Sequence, residues 1–204
     1  WPVTSLYAIG YMRGHHEKNQ TRFYFAFAIS IFATMAIALS ANLLTLFLAY
    51  EMLTLFTLPL VTHSGTEAAR RAGWTYLGIL MTTSIGFLLL AIIWTWSLTG
   101  TLEFTPGGIL EGKAEPAILG GLLLLFVFGT GKAALMPFHR WLPAAMVAPT
   151  PVSSLLHAVA VVKAGAFTIL KVAVYIFGID LIGTLDSAYW LSMLAGFTIV
   201  SASI

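Results

Sequence analysis

The chain reads as an all-α, polytopic bundle of transmembrane helices in which one span is discontinuous, and three observations lead there. Of its 204 residues 59% are hydrophobic and only 9% charged, with mean hydropathy +0.91, whereas soluble domains carry roughly 25% charged residues. Apolar runs recur at about the 20 residues that a helix needs to cross a ~30 Å hydrocarbon core. One of them passes, just after Lys132, into a proline-rich stretch that stays apolar.

Taken in order, the expected spans are 23–40, 41–61, 73–97, 117–136, 151–177 and 187–204, preceded by the tail of an earlier helix at 1–12. All belong to one membrane domain over 1–204. The sequence starts at Trp1 and stops within an apolar run, so it is expected to be an interior part of a longer protein. The connection Arg13–Arg22 is basic, and so is His63–Arg71 two spans later. The connection 98–116 holds Glu103, Glu111 and Glu115 against Lys113 alone. Short loops rich in Lys and Arg stay in the cytoplasm, which places the first two inside and 98–116 outside.

Within the 41–61 span Pro59 comes late enough only to loosen the last turn. The stretch Pro137–Pro151 is different, with four prolines together with His139 and Arg140. Irregular backbone at membrane depth is tolerated where protein or a wet cavity surrounds it. The expectation is therefore a helix that breaks just after Lys132, a short helix at 138–148, and a restart with Thr150 as N-cap and Pro151 at the first helical position. Gly129 and Gly131 flank the lysine's turn and permit close backbone approach.

Ionisable residues inside spans are the informative ones. A Lys at the centre of a transmembrane helix costs roughly 2.5–3.5 kcal/mol on insertion scales, and such residues mark ion or proton paths. Lys132 has a plainer reading, in which its long stem reaches a nearby interface, but the apolar Pro137–Pro151 stretch extends the embedded region past it. Glu51 lies about ten residues from either end of its span, too deep for a short side chain to reach water. Its plain reading is a neutral glutamate bonded to Thr54 on the same face. Lys163 is equally deep; His157 shares its span six residues earlier, roughly 240° around and ~9 Å along an α-helix. These two can be successive stations on one path, or His157 can be an ordinary packed histidine. Lys171, nearer its span end, and His139 in the proline-rich stretch are accessory candidates.

Several chemistries drop out. Without cysteine there are no disulfides, thiolate-held iron–sulfur clusters or Cys-linked haem. Gly129-Thr-Gly-Lys132 lacks the earlier glycine and the following Ser or Thr of a phosphate loop. His15, His16, His63 and His139 lack metal-ligand spacing, and only His157 among the histidines falls within a span. Neither a cofactor nor a metal is expected, and the small net charge of +2 gives no reason to expect nucleic acid.

The run AYEMLTL around Glu51, and GKAALMPFHRWLPAAMVAPTPVSSLLHAVAVVKAGAF from Gly131 to Phe167, resemble the antiporter-like membrane subunits. These are shared by Mrp-type cation/proton antiporters, in their D-type and A-type components, and by the proton-pumping arms of respiratory complex I and membrane hydrogenases. The resemblance implies about fourteen helices built from two inverted five-helix repeats, each with a broken helix. It matches Glu51 to the glutamate of the family's fifth helix, Lys132 to the lysine of its broken seventh, and His157 and Lys163 to two relay positions on its eighth. Having both of the last two is closer to the Mrp-type pattern, and the family's later ionisable residue would lie beyond Ile204.

The resulting expectation is a proton relay Glu51–Lys132–His157–Lys163 in a multisubunit Na⁺ or K⁺/proton antiporter of a bacterial inner membrane. Its partners would be other membrane subunits, and it would be a transporter subunit with no catalytic chemistry of its own. The nearest other reading is the same relay in an NADH:quinone oxidoreductase or membrane hydrogenase. A non-transporting structural role ranks lower, because interhelical polar contacts average only ~0.6 kcal/mol.

Overall fold

The computed structural model describes residues 2–203; Trp1 and Ile204, the outer ends of the first and last expected segments, lie outside them. Among the described residues the chain forms α1 (Pro2–Gly14), α2 (Gln20–Leu39), α3 (Leu43–Val61) and α4 (Glu67–Thr99). There follow α5 (Pro116–Gly129), the short α6 (Trp141–Ala144), α7 (Thr150–Phe177), α8 (Ile179–Gly183) and α9 (Asp186–Ser203). Helices α2, α3, α4 and α7 are each long and apolar enough to cross a membrane.

Local chemistry sets the ends. Asn42, in extended conformation, accepts from Thr45 N at 2.8 Å and starts α3. Thr66 accepts from Ala69 N at 3.2 Å and starts α4, with Glu67 in the first turn where the helix dipole favours an acid. Gly100, at φ +73°, closes α4 in the left-handed conformation that glycine adopts freely. Pro116 fits at the first turn of α5, where its missing N–H costs nothing.

The restart of α7 differs from the expected cap. The helix begins at Thr150 itself, with Pro149 at the cap position. Val152 N and Ser153 N both donate to Pro149 O, at 2.9 and 3.0 Å. The Thr150 hydroxyl is engaged elsewhere, donating to the Tyr11 hydroxyl of α1 at 3.2 Å.

The two basic connections meet at one end of the bundle, where residues 15–19, Arg22 and 62–65 line a cavity of about 570 Å³. The connection between α4 and α5 lies at the other end. There Leu43 N donates to Leu102 O and Phe104 N to Ala41 O, tying the α2–α3 turn down by an antiparallel bridge between Asn42 and Glu103. The end of α7 docks on the same connection: Ile109 N and Leu110 N both donate to Ile176 O. Tyr50, Tyr76, Phe126, Trp141 and Phe177 fill the interior. Phe32, Leu39, Trp74 and Ile93 are exposed on the outer surface, as expected of helices that face lipid tails.

Helix α5 ends earlier than the 117–136 span. It stops at Gly129, and Lys132 sits inside the break, in a 3₁₀ turn over Gly131–Ala133. The break is tightly packed. A Cβ on Gly129 would overlap Leu88 of α4, one on Gly131 the Thr83 hydroxyl, and one on Gly165 of α7 the amide of Ala133. The turn is thus pinched between two spans that only glycine lets approach. Ala134 then takes a positive φ of 56°, and no further long helix forms before Thr150.

Candidate functional site

Lys132 is fully buried, and its side chain crosses to the middle of α3. The ammonium donates to Tyr50 O at 2.8 Å and to the Thr54 hydroxyl at 2.6 Å. It also stands 3.2 Å from the centroid of the Tyr50 ring. At the other end of the same residue, the backbone N–H of Lys132 donates to the Tyr50 hydroxyl at 3.1 Å. A desolvated cation–π contact is worth about 2 kcal/mol, and each hydrogen bond to a charged group about 1.5–3 kcal/mol. Together these oppose the cost of burying an ammonium.

The helical register of α3 explains the seat. Tyr50, Thr54 and Thr57 are buried at i, i+4 and i+7, one face of the helix. Thr57 and Tyr76 of α4 share a hydrogen bond one turn further along. The Tyr76 ring packs edge-on against Trp141, 5.6 Å between centroids, and Trp141 Nε1 donates to Gly131 O at 3.0 Å. The short helix α6 therefore props the lysine's turn from below, and a single cluster joins α3, α4, α6 and the break.

Glu51 is the next residue along from Tyr50. Both of its carboxyl oxygens are buried, and neither takes a hydrogen bond from a protein group. Among the described residues no ion pair within 4.0 Å joins it to Lys132. The glutamate and the lysine thus belong to one cluster, but the lysine's ammonium rests on Tyr50 and Thr54 rather than on the carboxylate.

The other sequence candidates are placed differently. His157 lies in a π-helical stretch, Leu155–Val159, with its Nε2 buried and free of protein partners. The wide turn, closed by Ala160 N donating to Leu155 O at 2.8 Å, breaks the uniform α-helical angle from which the 240° separation follows. Lys163 is exposed on the outer face of the described residues, two positions before the Gly165 that touches the lysine turn. No hydrogen bond or ion pair joins it to Lys132, His157 or Glu51 among the described residues. His139 follows the break, half-buried, with Nδ1 unpartnered.

Lys171 is buried and engaged. Its ammonium donates to Ser40 O at 2.6 Å and to the Ser40 hydroxyl at 3.1 Å, closing the C-terminal end of α2. Phe104 flanks it at 4.6 Å.

Sequence reasoning passes over Tyr50, Tyr76, Trp141 and Gly165. The only signal for the first is an aromatic residue directly before a mid-span glutamate; for Gly165 it is the small-residue run Ala164-Gly165-Ala166.

A bundle of spans in which one helix breaks around a buried lysine, and that lysine seats on the turn carrying a mid-span glutamate, defines a polytopic membrane protein with an intramembrane ionisable site. Residues 40–204 match the family model described as NADH:quinone oxidoreductase/Mrp antiporter, TM. The chain belongs to that family and is an integral membrane protein.

Antiporter subunit mnhA2 of Staphylococcus aureus, found under that name in several strains, is 33% identical over 172 residues. The match takes in 81% of this chain and 21% of the relative, so the chain spans about a fifth of that protein's length. The solved Mrp complex of Dietzia sp. DQ12-45-1b contains a chain similar at 28% identity and TM-score 0.71, over 78% of this chain and 18% of that one. The archaeal membrane-bound sulfane sulfur reductase shares the fold at TM-score 0.71 and 22% identity, over 84% of this chain and 34% of its own.

Proposed function

We propose that this chain forms part of a proton-translocating subunit in a multisubunit Na⁺ or K⁺/proton antiporter of a bacterial plasma membrane. The observation that carries the reading is Lys132, fully buried in a broken span and seated on the turn of α3 that bears Glu51. An ammonium at that depth is costly to maintain, and a lysine able to lose its proton there can serve as a carrier. Similarity to mnhA2 at 33% identity and to a chain of an Mrp complex supports antiport as the driving chemistry. Other membrane subunits of the same assembly are its partners.

In this scheme a proton binds at Lys132 from a hydrated half-channel. Glu51, one residue from the ammonium's seat, supplies the negative field that favours the charged lysine. Release onward toward Lys163 runs past His157, whose unpartnered Nε2 is available to accept or donate. Lys163, exposed on the described chain, needs the cover of neighbouring helices to act as a station, which fits a chain that is one part of a larger bundle.

A second reading, the same relay in a redox-driven complex, is favoured by the family description, which joins NADH:quinone oxidoreductase with the Mrp antiporter. The test uses everted vesicles holding the full-length protein with its natural partners, and a pH gradient followed by dye fluorescence. Collapse of the gradient on adding Na⁺ or K⁺, absent in Glu51→Gln at equal protein level, supports antiport. A gradient built by NADH, indifferent to the cation and lost in Glu51→Gln, supports the redox reading. Wild-type behaviour in both Glu51→Gln and Lys132→Ala overturns the relay.

A further inference from the structure

A proton carrier that pairs with a carboxylate must also be able to leave it, and the geometry around Lys132 contains a place for it to go. We infer that Tyr50 and Thr54 form a second seat for the protonated lysine, an aromatic and carbonyl cradle that holds the ammonium while its pair with Glu51 is open. The inference rests on the relay reading above and deepens it by assigning a positioning role to a residue outside the relay.

Three separate contacts bind one residue to one tyrosine. The ring face lies 3.2 Å below the ammonium, the Tyr50 carbonyl accepts from it at 2.8 Å, and the Tyr50 hydroxyl accepts from the Lys132 backbone at 3.1 Å. Thr54 completes the cradle at 2.6 Å. Lys132 and Tyr50 are both fully buried, so neither contact competes with bulk solvent. The seat is specific for a cation, because a ring face, a carbonyl and a hydroxyl lone pair all present negative potential.

Adjacency in sequence makes the seat useful. Tyr50 and Glu51 are consecutive, so their side chains leave α3 about 100° apart at nearly the same depth. In this scheme the stem of Lys132 passes between them while α3 stays in place. Breaking a buried ion pair is ordinarily costly because it strands a charge. Here the ammonium exchanges one partner for another, and the remaining carboxylate is free to respond to a neighbouring subunit.

The titratable groups on the elements packed around Lys132 are few. On α3 these are Glu51 and the Tyr50 hydroxyl; on α4 the Tyr76 hydroxyl, bonded to Thr57; on α7, which crosses the lysine turn at Gly165, His157 and the exposed Lys163.

The experiment compares Tyr50→Phe, Tyr50→Leu and Thr54→Val in the full-length protein within its complex, reading cation-driven proton transport against pH, with protein level measured by immunoblot. Tyr50→Phe keeps ring and carbonyl, gives up only the hydroxyl that accepts from the Lys132 N–H, and is expected to lose clearly less transport than Tyr50→Leu. Tyr50→Leu removes the ring and is expected to slow transport roughly 10- to 30-fold, the fold-change of a desolvated cation–π contact. The same loss moves the pH profile toward acid, since the charged lysine loses a stabiliser. Thr54→Val, of equal shape, shifts the profile in the same direction by less. If Tyr50→Leu does not accumulate, the Thr54→Val shift decides. An unchanged pH profile in the variants that accumulate, or Tyr50→Phe behaving as Tyr50→Leu, overturns the seat. Lys132→Ala run alongside separates the two ideas: activity retained there sinks the relay itself, whereas a dead Lys132→Ala beside normal Tyr50→Leu and Thr54→Val sinks only the seat.

Discussion

Two buried lysines in this chain make almost the same contacts to different ends. Lys171 donates to a backbone carbonyl and a hydroxyl of Ser40 and lies near an aromatic ring. Lys132 donates to a backbone carbonyl and a hydroxyl and lies over an aromatic ring. Of the carbonyls beside Lys171, at the C-terminal end of α2 where negative potential concentrates, Ile37 O already accepts from the Ser40 hydroxyl and Ser40 O is the one the helix end leaves unfilled. Those beside Lys132 belong to the middle of α3, where the carbonyl of Tyr50 already accepts from the Thr54 hydroxyl. A helix end gains from a fixed cation through its dipole, and a helix middle lacks that gain. Burial of a lysine is therefore not evidence of transport by itself, and the place of its acceptors along a helix is the better discriminator.

Substitution of each lysine is the strongest way to break that distinction. Lys132→Ala is expected to reduce transport about 100-fold or more, the scale of losing a positioned proton-transfer group, while the protein still reaches the membrane. Lys171→Met should instead leave transport per molecule nearly intact. Equal losses of turnover in both variants, measured in vesicles at matched protein level, would erase the contrast.

Next in size is the support of the lysine turn. Gly165→Ala places a Cβ against the Ala133 amide, and overpacking of this kind costs about 1–3 kcal/mol. Reduced thermal stability of the detergent-solubilised complex and reduced transport are both expected; an unaltered melting temperature would show that the crossing of α7 over the break is loose enough to admit a methyl group.

For Lys171 the expected loss is about 1 kcal/mol, from a helix-end charge and its hydrogen bonds. Ser40→Ala should reproduce part of it. Thermal unfolding of both variants measures the effect.

The smallest effect concerns His63, at the basic end. Its side chain is buried against Phe23, with Glu17 3.6 Å away. Burial pushes the imidazole below its usual 6.5, with Glu17 pulling the other way and Arg22 adding to the depression. The folded state then binds this proton less readily than the unfolded chain. The stabilisation is present above pH 6.5 and is lost as the pH falls below it. His63→Phe should flatten the acid limb of a stability-versus-pH curve; a curve identical to wild type would remove His63 as its source.

Charges inside apolar runs are easy to read from sequence, because the membrane makes each of them expensive. So Glu51 and Lys132 stand out, and the clustering of prolines from Pro137 to Pro151 announces a break. Its position is harder to see. Four prolines follow Lys132, yet the helix stops at Gly129, before any of them and where glycines pack closely against α4. Sequence also gives the depth of a residue in a span better than the direction in which it points. Lys163 stands near the middle of α7 but faces outward, and the π turn at 155–159 resets the phase of everything after it on α7. Thr54 is legible as a hydroxyl near Glu51, whereas its actual partner, 78 positions away, is not.

The three glycines around the break have a mechanical meaning. With Gly129 and Gly131 against α4 and Gly165 against the lysine turn, the main chain at Lys132 is held like an axle between two bearings. Beyond it the four-carbon arm is held only at its tip, by Tyr50 and Thr54. Any tilt of α4 or α7 is therefore passed directly to the point from which the arm leaves the chain.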